Sequence, residues 1–367
     1  MYANIWSCRY QELLLSHRCL IFLDSQVFFR CSKSVWSEDT LFDDFPQELN
    51  AHLGETQDIH PFTEMSSTQT FASYVRILLR FSGRDITDDN DVLDAMAGIT
   101  RRVASKLGSG ILEGLLTSYF DASILFYHSC TRPVRRRPAF PSWSWAGWSG
   151  YTHGWIPEED TLSMAEWNHG HTFITWYKQA PETAEVSRVW DNNNPENPDK
   201  LELEGLELGA ESPHPTARQQ ILQVVSTERS ATAPMNVPKN NYPVYGYHLL
   251  RFRTYLVRCP RLEPSSESGC ATIFDRDDTV CGALFVDDQA YVQQQDGPFD
   301  LILLSTGEKS CVGKGRLPVE ARRPFFWAML ISRGAHVSER KALGFIFQDR
   351  IDSLLPPGKV WTEIVLA

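Results

Sequence analysis

Several things are missing from these 367 residues. The eight cysteines, Cys8, Cys19, Cys31, Cys130, Cys259, Cys270, Cys281 and Cys311, form no CxxC pair. That excludes a zinc ribbon or a thioredoxin-type site. There is no Walker loop and no G-x-G-x-x-G, so no phosphate-cradling turn is marked. The longest apolar runs, such as Phe325 to Ile331, fall far short of the ~20 residues that span a bilayer. The chain opens without a basic-then-apolar signal pattern. Basic excess is also lacking: 35 Lys and Arg stand against 46 Asp and Glu, a formal net charge of -11. A general nucleic-acid surface needs clustered cations to displace phosphate counterions, and this balance argues against one. The near-regular spacing of Cys259, Cys270 and Cys281 would suit a disulfide framework. A large chain without a secretory signal favours reduced thiols instead. These absences predict a soluble, cytoplasmic protein with no nucleic-acid partner and no membrane span.

What is present is a dense aromatic stretch. Arg135-Arg136-Arg137-Pro138-Ala139-Phe140-Pro141-Ser142-Trp143-Ser144-Trp145-Ala146-Gly147-Trp148-Ser149-Gly150 places three tryptophans between prolines and glycines. It reads as a buried strand or turn. On a strand, Trp143 and Trp145 would share one face and Ser142 and Ser144 the other, because the side-chain period is two. Exposed indoles could stack a sugar or a base. A wedge of core between helices and a β region is the favoured reading, with indole N–H groups needing partners. Arg132 and Arg135 to Arg137 read as a solvated loop rather than a phosphate site.

The flanks differ in texture. Tyr10 to Ser16 reads as a short helix of good formers, and Cys19–Leu23 with Val27–Cys31 as a hairpin. Residues 41–68 are polar and irregular. Three helices are predicted next, on Phe71, Tyr74, Val75, Leu78 and Leu79; on Val92, Met96, Ile99, Val103 and Leu107; and on Leu116, Tyr119, Phe120, Ser123, Ile124 and Tyr127. The second is entered through Thr87-Asp88-Asp89 and stopped by Gly108 and Gly110. After Trp148 short apolar runs alternate with turn residues. Strands are predicted at His171–Tyr177, Leu201–Leu208, Ile221–Ser226, Leu249–Arg258, Thr272–Asp275, Gly282–Asp287, Leu301–Ser305, Phe326–Ser332, Ala342–Phe347 and Trp361–Leu366. That pattern favours an antiparallel sandwich or open barrel, with loops at Asp191–Lys200 and Gly209–Arg218. The fold class is α+β.

The order of these signals resembles one family. Tyr10-Gln11-Glu12-Leu13-Leu14-Leu15-Ser16-His17-Arg18, then Leu20-Ile21-Phe22 and Val27-Phe28-Phe29-Arg30-Cys31, resembles the end of the fungal heterokaryon-incompatibility (HET) domain. Ser82-Gly83-Arg84 and Asp91 through Ile99 look like the helical segment that follows it. Pro141 to Gly150 is similar to the Pro-Ser-Trp-Ser-Trp-Ala-Gly-Trp box that comes next. His336 through Gly344 and Trp361 through Leu366 resemble the closing strands. The resemblance implies a remnant of an α/β, TIR-like HET domain over 1–40, a loop over 41–68, a helical segment over 69–140 and a β-rich domain over 141–367. Gln11, Trp143, Trp145, Gly147, Trp148 and Gly150 would be its structural signature. The family's opening aromatic Ser-Tyr-x-Trp-Gly box has no counterpart before Tyr10, so the chain is expected to be N-terminally truncated. The family's Trp four residues before the Glu is Cys8 here.

Function follows from the same resemblance. It implies non-self recognition and regulated cell death, through protein partners. Some TIR-type folds cleave NAD with a helix-borne glutamate, which can hold ribose hydroxyls and steady the charge of the breaking glycosidic bond. Glu12 is the matching position. Read from the residues alone, a helix-surface or capping Glu is the favoured reading. No catalysis is expected of this chain as it stands; NAD enters only as a possible substrate of a full-length domain, and no cofactor or metal is expected. A non-catalytic, β-rich protein-interaction module is the alternative. His169-Gly170-His171 with His153 and Glu166 lacks zincin spacing, Gly147-Trp148-Ser149-Gly150 is not a G-x-S-x-G elbow, and Asp275 to Asp278 lacks calcium-loop spacing.

Overall fold

The computed structural model describes residues 7–23, 26–31, 35–38, 65–128, 134–156, 171–190, 245–265, 269–307 and 323–367. The chain opens on helix α1 (Ser7–Leu15), whose Tyr10 and Leu14, one turn apart, are buried. Strands β1 (Arg18–Leu23), β2 (Gln26–Cys31) and β3 (Val35–Ser37) then form an antiparallel meander. The hairpin expected here is β1–β2.

Helix α2 (Ser67–Ser82) begins at a capping box: the Gln69 N–H donates to the Ser66 hydroxyl and the Ser66 N–H to the Gln69 side chain. Its buried stripe carries Phe71, Tyr74, Val75, Ile77 and Leu78. A 3-10 turn over Asp89–Asp91, capped by the Asp88 carboxylate, leads into α3 (Asp94–Lys106). Both helices follow the spacing of their apolar residues.

The third expected helix is corrected. Its span holds instead β4 (Ile111–Leu112) and β5 (Leu115–Leu116), the four-residue helix α4 (Phe120–Ser123), and β6 (Phe126–His128). Leu115, Leu116, Tyr119, Phe120, Ile124, Leu125 and Phe126 are all buried. A segment buried on every side has no polar face, so helical spacing in it carries no information. The β4–β5 turn puts Glu113 at φ 47° and Gly114 at φ 84°. The added strain at Glu113 marks this turn as one held in place by its neighbours.

Short strands follow: β7 (Arg135–Arg136), β8 (Trp148–Ser149) and β9 (Thr152–Gly154), with β7 paired to β8 and β6 to β9. The expected strand His171–Tyr177 is mostly irregular. Thr172 bridges Ser305 singly, and the strand proper is β10 (Tyr177–Gln179), which pairs with β11 (Val186–Arg188). Expected strands at 201–208 and 221–226, and the loops at 191–200 and 209–218, lie outside the described residues.

The remaining elements are β12 (Leu249–Cys259), β13 (Arg261–Pro264), β14 (Cys270–Phe274), β15 (Val280–Val286), α5 (Gln289–Gln294), β16 (Phe299–Gly307), β17 (Phe325–Arg333), β18 (Ser338–Phe347) and β19 (Val360–Leu366). Antiparallel pairs join β12 to β16, β16 to β17 and β17 to β18. Strand β19 runs antiparallel to β12 along Leu250–Leu256 and meets β18 in parallel at Ser338↔Leu366. These pairings close a ring. Elsewhere along β18 the neighbour is β15, from which β14 and β13 extend outward. The fold is therefore mixed α+β with a large, mainly antiparallel sheet, as the spacing of the apolar runs predicts.

Residues Phe325 to Ile331 of β17 are buried without alternation, so this strand is covered on both faces. One apolar cluster extends from Tyr10 and Leu14 through α2, α3 and the tryptophans to Leu366. The N-terminal elements, the helices and the sheet share it.

Candidate functional site

Ahead of β8 the tryptophan box is a turn leading into a 3-10 helix over Trp145–Gly147. The two-face pattern expected of a strand is thereby corrected: Trp143, Trp145 and Trp148 are buried, and so are Ser142 and Ser144. Burial is what the wedge reading predicts. It excludes the exposed stacking face.

The polar groups of Ser142, Ser144, Trp145 and Trp148 are all tethered. The Ser142 N–H donates to the Ala367 carbonyl at 3.0 Å, and its hydroxyl donates to the same oxygen. That hydroxyl also accepts the Arg340 N–H at 2.9 Å. The Ser144 hydroxyl caps the 3-10 turn by accepting from the Ala146 N–H, and donates to the Glu113 carbonyl at 2.6 Å. The indoles of Trp145 and Trp148 donate to the carbonyls of Gly114 at 3.0 Å and Ser142 at 2.7 Å. The Tyr74 hydroxyl donates to the same Gly114 oxygen, and burial pushes its pKa up to about 12. The Trp143 indole N–H is buried without a hydrogen-bond partner among the described residues.

Aromatic contacts continue outward from these rings. Phe81 of α2 meets Trp145 edge-on at 6.1 Å, and Phe120 of α4 touches Trp143 and Trp176. Trp176 in turn lies 4.5 Å from Phe252 of β12, and Tyr127 of β6 stacks on Phe285 of β15 at 4.1 Å. The box thus ties the helical elements to the sheet.

Of the three arginines ahead of it, only Arg135 fits the solvated reading; the other two correct it. Arg137 is buried, donates to Asp89 at 2.8 Å and to the Trp148 carbonyl, and its backbone N–H meets the Gly147 carbonyl. Arg136 is half-buried and donates to the carbonyls of Gly147 and Arg137. Burial lowers the pKa of both. The hydrogen bond from Arg135, reinforced by Arg137, holds the Asp89 carboxyl at about 2 against a smaller desolvation effect. Gly147 is required by close approach, because a Cβ there would collide with the Pro141 carbonyl. Gly150 sits at φ 132°, where L side chains are rare.

Beneath the box lies a charged centre that the sequence did not advertise. Arg340 of β18 is wholly buried and donates through Nε to Asp287 at 2.7 Å, and through its terminal nitrogens to the carbonyls of Ile124 and Phe126. Its guanidinium also lies 3.7 Å from the Phe126 ring centroid. The second oxygen of Asp287 meets His128 Nδ1 at 2.7 Å. Desolvation raises the Asp287 pKa, but Arg340 and His128 outweigh it and the net direction is down. The Asp287 carboxylate is thus held between Arg340 and His128 Nδ1. His128 Nε2 is buried with no hydrogen-bond partner among the described residues. The only available cue was a charge or imidazole at the edge of an apolar run: Asp287 after Ala283–Val286, His128 after Leu125–Tyr127. Buried charges must be paired, so each such residue asks for a partner.

The centre resembles part of a charge relay, yet among the described residues no hydroxyl or thiol meets His128 Nε2, and all three side chains are out of solvent. Its geometry is that of a structural clamp.

Glu12 lies elsewhere, exposed on α1. Among the described residues its carboxylate meets no hydrogen-bond or ion-pair partner; only its carbonyl is used, by Ser16. Gln11 beside it bridges to α3, accepting from the Gly98 N–H at 3.0 Å and donating to the Asp94 carbonyl at 3.4 Å. The structure thus brings together Trp143, Trp145, Gly147, Trp148 and Gly150, with Gln11 and Glu12 on a separate helix. His171 bonds the Thr306 hydroxyl and His153 stacks on Tyr127, so they are apart; His169 and Glu166 lie outside the described residues. Asp275 caps a turn, accepting from the Asp277 and Thr279 N–H groups. No cluster of three or more metal-ligating side chains occurs among the described residues, and none of their helices is long and apolar enough to cross a membrane. Cys259 and Cys281 are buried and form no disulfide among the described residues. In comparisons with known proteins, no family model, no curated protein and no solved structure matches the chain.

Proposed function

We propose that this chain is a fungal HET-type protein of non-self recognition and regulated cell death, and that its tryptophan box is a structural junction with no catalytic role. The observation that carries the proposal is the placement of the signature residues. Of the signature residues, Gln11 reaches α3 and Trp145 the β4–β5 turn, while Gly147 and Trp148 close contacts within the box; the intervening Ser142 and Ser144 reach Ala367 and Glu113. A motif that welds α1, α3, the β4–β5 turn and the sheet together accounts for why the resemblance runs through these residues in this order. The TIR-like origin of α1 and β1–β3 rests on the resemblance alone. Glu12 is exposed, as a ribose-binding carboxylate would be, but among the described residues no second group converges on it. In this reading Glu12 turns over no NAD, and protein partners transmit the signal.

The test is expression of the chain in fungal cells, with viability and cellular NAD followed together. Growth arrest with NAD unchanged, and unaffected by Glu12→Ala, is the expected result. Unimpaired growth at high expression sinks the cell-death reading, and NAD loss abolished by Glu12→Ala sinks the non-catalytic one.

A second reading, a non-catalytic β-rich protein-interaction module, is favoured by one observation: Leu20, Phe22 and Trp36 stand exposed on the β1–β3 meander. Stable capture of one protein partner, with neither death nor NAD loss, supports it over the first.

A further inference from the structure

The β1–β3 meander has two unlike faces. Pairing places Leu20, Phe29 and Trp36 in one row across the three strands, with Arg18 and Cys31 in the row on one side. Phe22 and Val27 form the row on the other side, continued by Glu38, whose N–H donates to the Val27 carbonyl. Residues paired across antiparallel strands point to the same face. The opposite face carries Phe28, which is buried. On the first face Leu20, Phe22 and Trp36 are 64%, 73% and 52% exposed. Phe29 stacks on Trp36 at 5.4 Å, which fixes the indole. Contiguous exposed side chains of this size mark an interaction surface.

The charges at its corners identify the occupant. Arg18 lies at one corner, exposed and without an ion-pair partner among the described residues. Glu38 lies at the diagonally opposite one, exposed, its Oε1 accepting the Val27 N–H at 3.1 Å and no cation of the described residues paired with it. The apolar side chains lie between. A twofold axis in the plane of the interface, crossing that diagonal, lays the face on a copy of itself and sets Arg18 of each copy against Glu38 of the other. An isologous contact of this kind needs a patch complementary to itself, and this one is. From the arrangement we infer that the β1–β3 face is a homodimer contact, with Leu20, Phe22, Phe29 and Trp36 as its apolar centre and two Arg18–Glu38 pairs at its rim. It goes beyond the HET-type reading and stands independently of it.

Sedimentation velocity of the full chain over a range of concentrations tests the inference. The expected result is a monomer–dimer equilibrium rising from 41.8 kDa toward twice that mass. Phe22→Glu should leave a monomer whose circular dichroism and melting match the parent. Arg18→Glu and Glu38→Arg should each weaken the dimer ~tenfold, and the double swap should restore it, since opposed like charges are what the singles create. A single species of monomer mass at every concentration overturns the inference. So does a dimer indifferent to Phe22→Glu, or a double swap no tighter than either single. A monomer that binds phosphatidylcholine vesicles through Phe22 overturns it as well, by assigning the face to a lipid surface.

Discussion

Arg340 and Asp287 meet at 2.7 Å with both side chains at 0% exposure. Breaking one partner leaves a buried, uncompensated charge. Asp287→Asn is therefore expected to destabilise the chain by ~3–5 kcal/mol in urea or thermal unfolding. Replacing both, as Arg340→Met with Asp287→Leu, removes the charges together and should recover a good part of that loss, because the pair offsets its own desolvation only incompletely. A double variant as unstable as Asp287→Asn would mean that the carbonyls of Ile124 and Phe126 depend on the guanidinium more than the carboxylate does.

Asp89 gives a defined acid response. Its folded pKa, about 2, lies below the ordinary 3.8 because Arg135 and Arg137 bond the ionised form. A depressed carboxylate adds stability that is fully present above the unfolded value and is lost as pH falls through the folded one. The window thus runs from about pH 4 down to about pH 2. Arg135 is 60% exposed and Asp89 33%, so screening leaves only ~1 kcal/mol of the shift as stability. Subtracting the pH profile of Asp89→Asn from that of the parent isolates this contribution from Asp275 and Asp287, which are also lowered. A flat difference between pH 4 and pH 2 would refute the assignment.

The three indoles of the box separate packing from hydrogen bonding. Trp143→Ala and Trp145→Ala should each cost ~3–5 kcal/mol, the range for removing a large buried aromatic. The phenylalanine variants are the sharper comparison. Trp145→Phe loses its bond to the Gly114 carbonyl, while Trp143→Phe loses none, because that N–H is already unpartnered. Trp145→Phe is expected to cost ~1 kcal/mol more than Trp143→Phe in chemical denaturation. Equal costs would mean that the Gly114 oxygen is satisfied well enough by Tyr74 alone.

Much of this arrangement was legible in the sequence, for reasons that differ by element. Helices α2 and α3 have one buried and one wet face, so their spacing exposes them. Strands β12 and β14 to β19 are apolar runs bounded by turn residues, and their limits fall within a few residues of expectation. The Leu116–Tyr127 stretch misled because it is buried all round. The box misled in conformation and informed in burial: three indoles among small residues mark core whether the backbone is strand or turn. Arg340, Asp287 and His128 went unseen as a set, since pairing across 159 and 53 residues is a property of topology and leaves no local trace.

Gly147 offers a backbone test of the junction. A methyl group there would strike the Pro141 carbonyl, which is backbone and has little room to yield, and would press on the Arg136 guanidinium. Gly147→Ala should cost more than ~2 kcal/mol, within the upper range for point substitutions with a named steric cause. Gly246→Ala is the control, because its added carbon meets nothing within 4 Å. Comparable melting temperatures for the two would place the box in looser packing than described.

The described sheet ends at two edges, and both are poor templates. Strand β11 is three residues long, with Ser187 and Arg188 exposed. Strand β13 carries Arg261 and Glu263, linked to each other at 3.1 Å, and finishes on Pro264. Short length, charge and proline are what keep a sheet from recruiting another along its backbone. Closure of β19 onto β12 and β18 removes the longest edge the sheet would otherwise present. A chain this rich in β structure is thereby steered away from cross-β growth, and its apolar meander can stay in the open without seeding fibres from the sheet behind it.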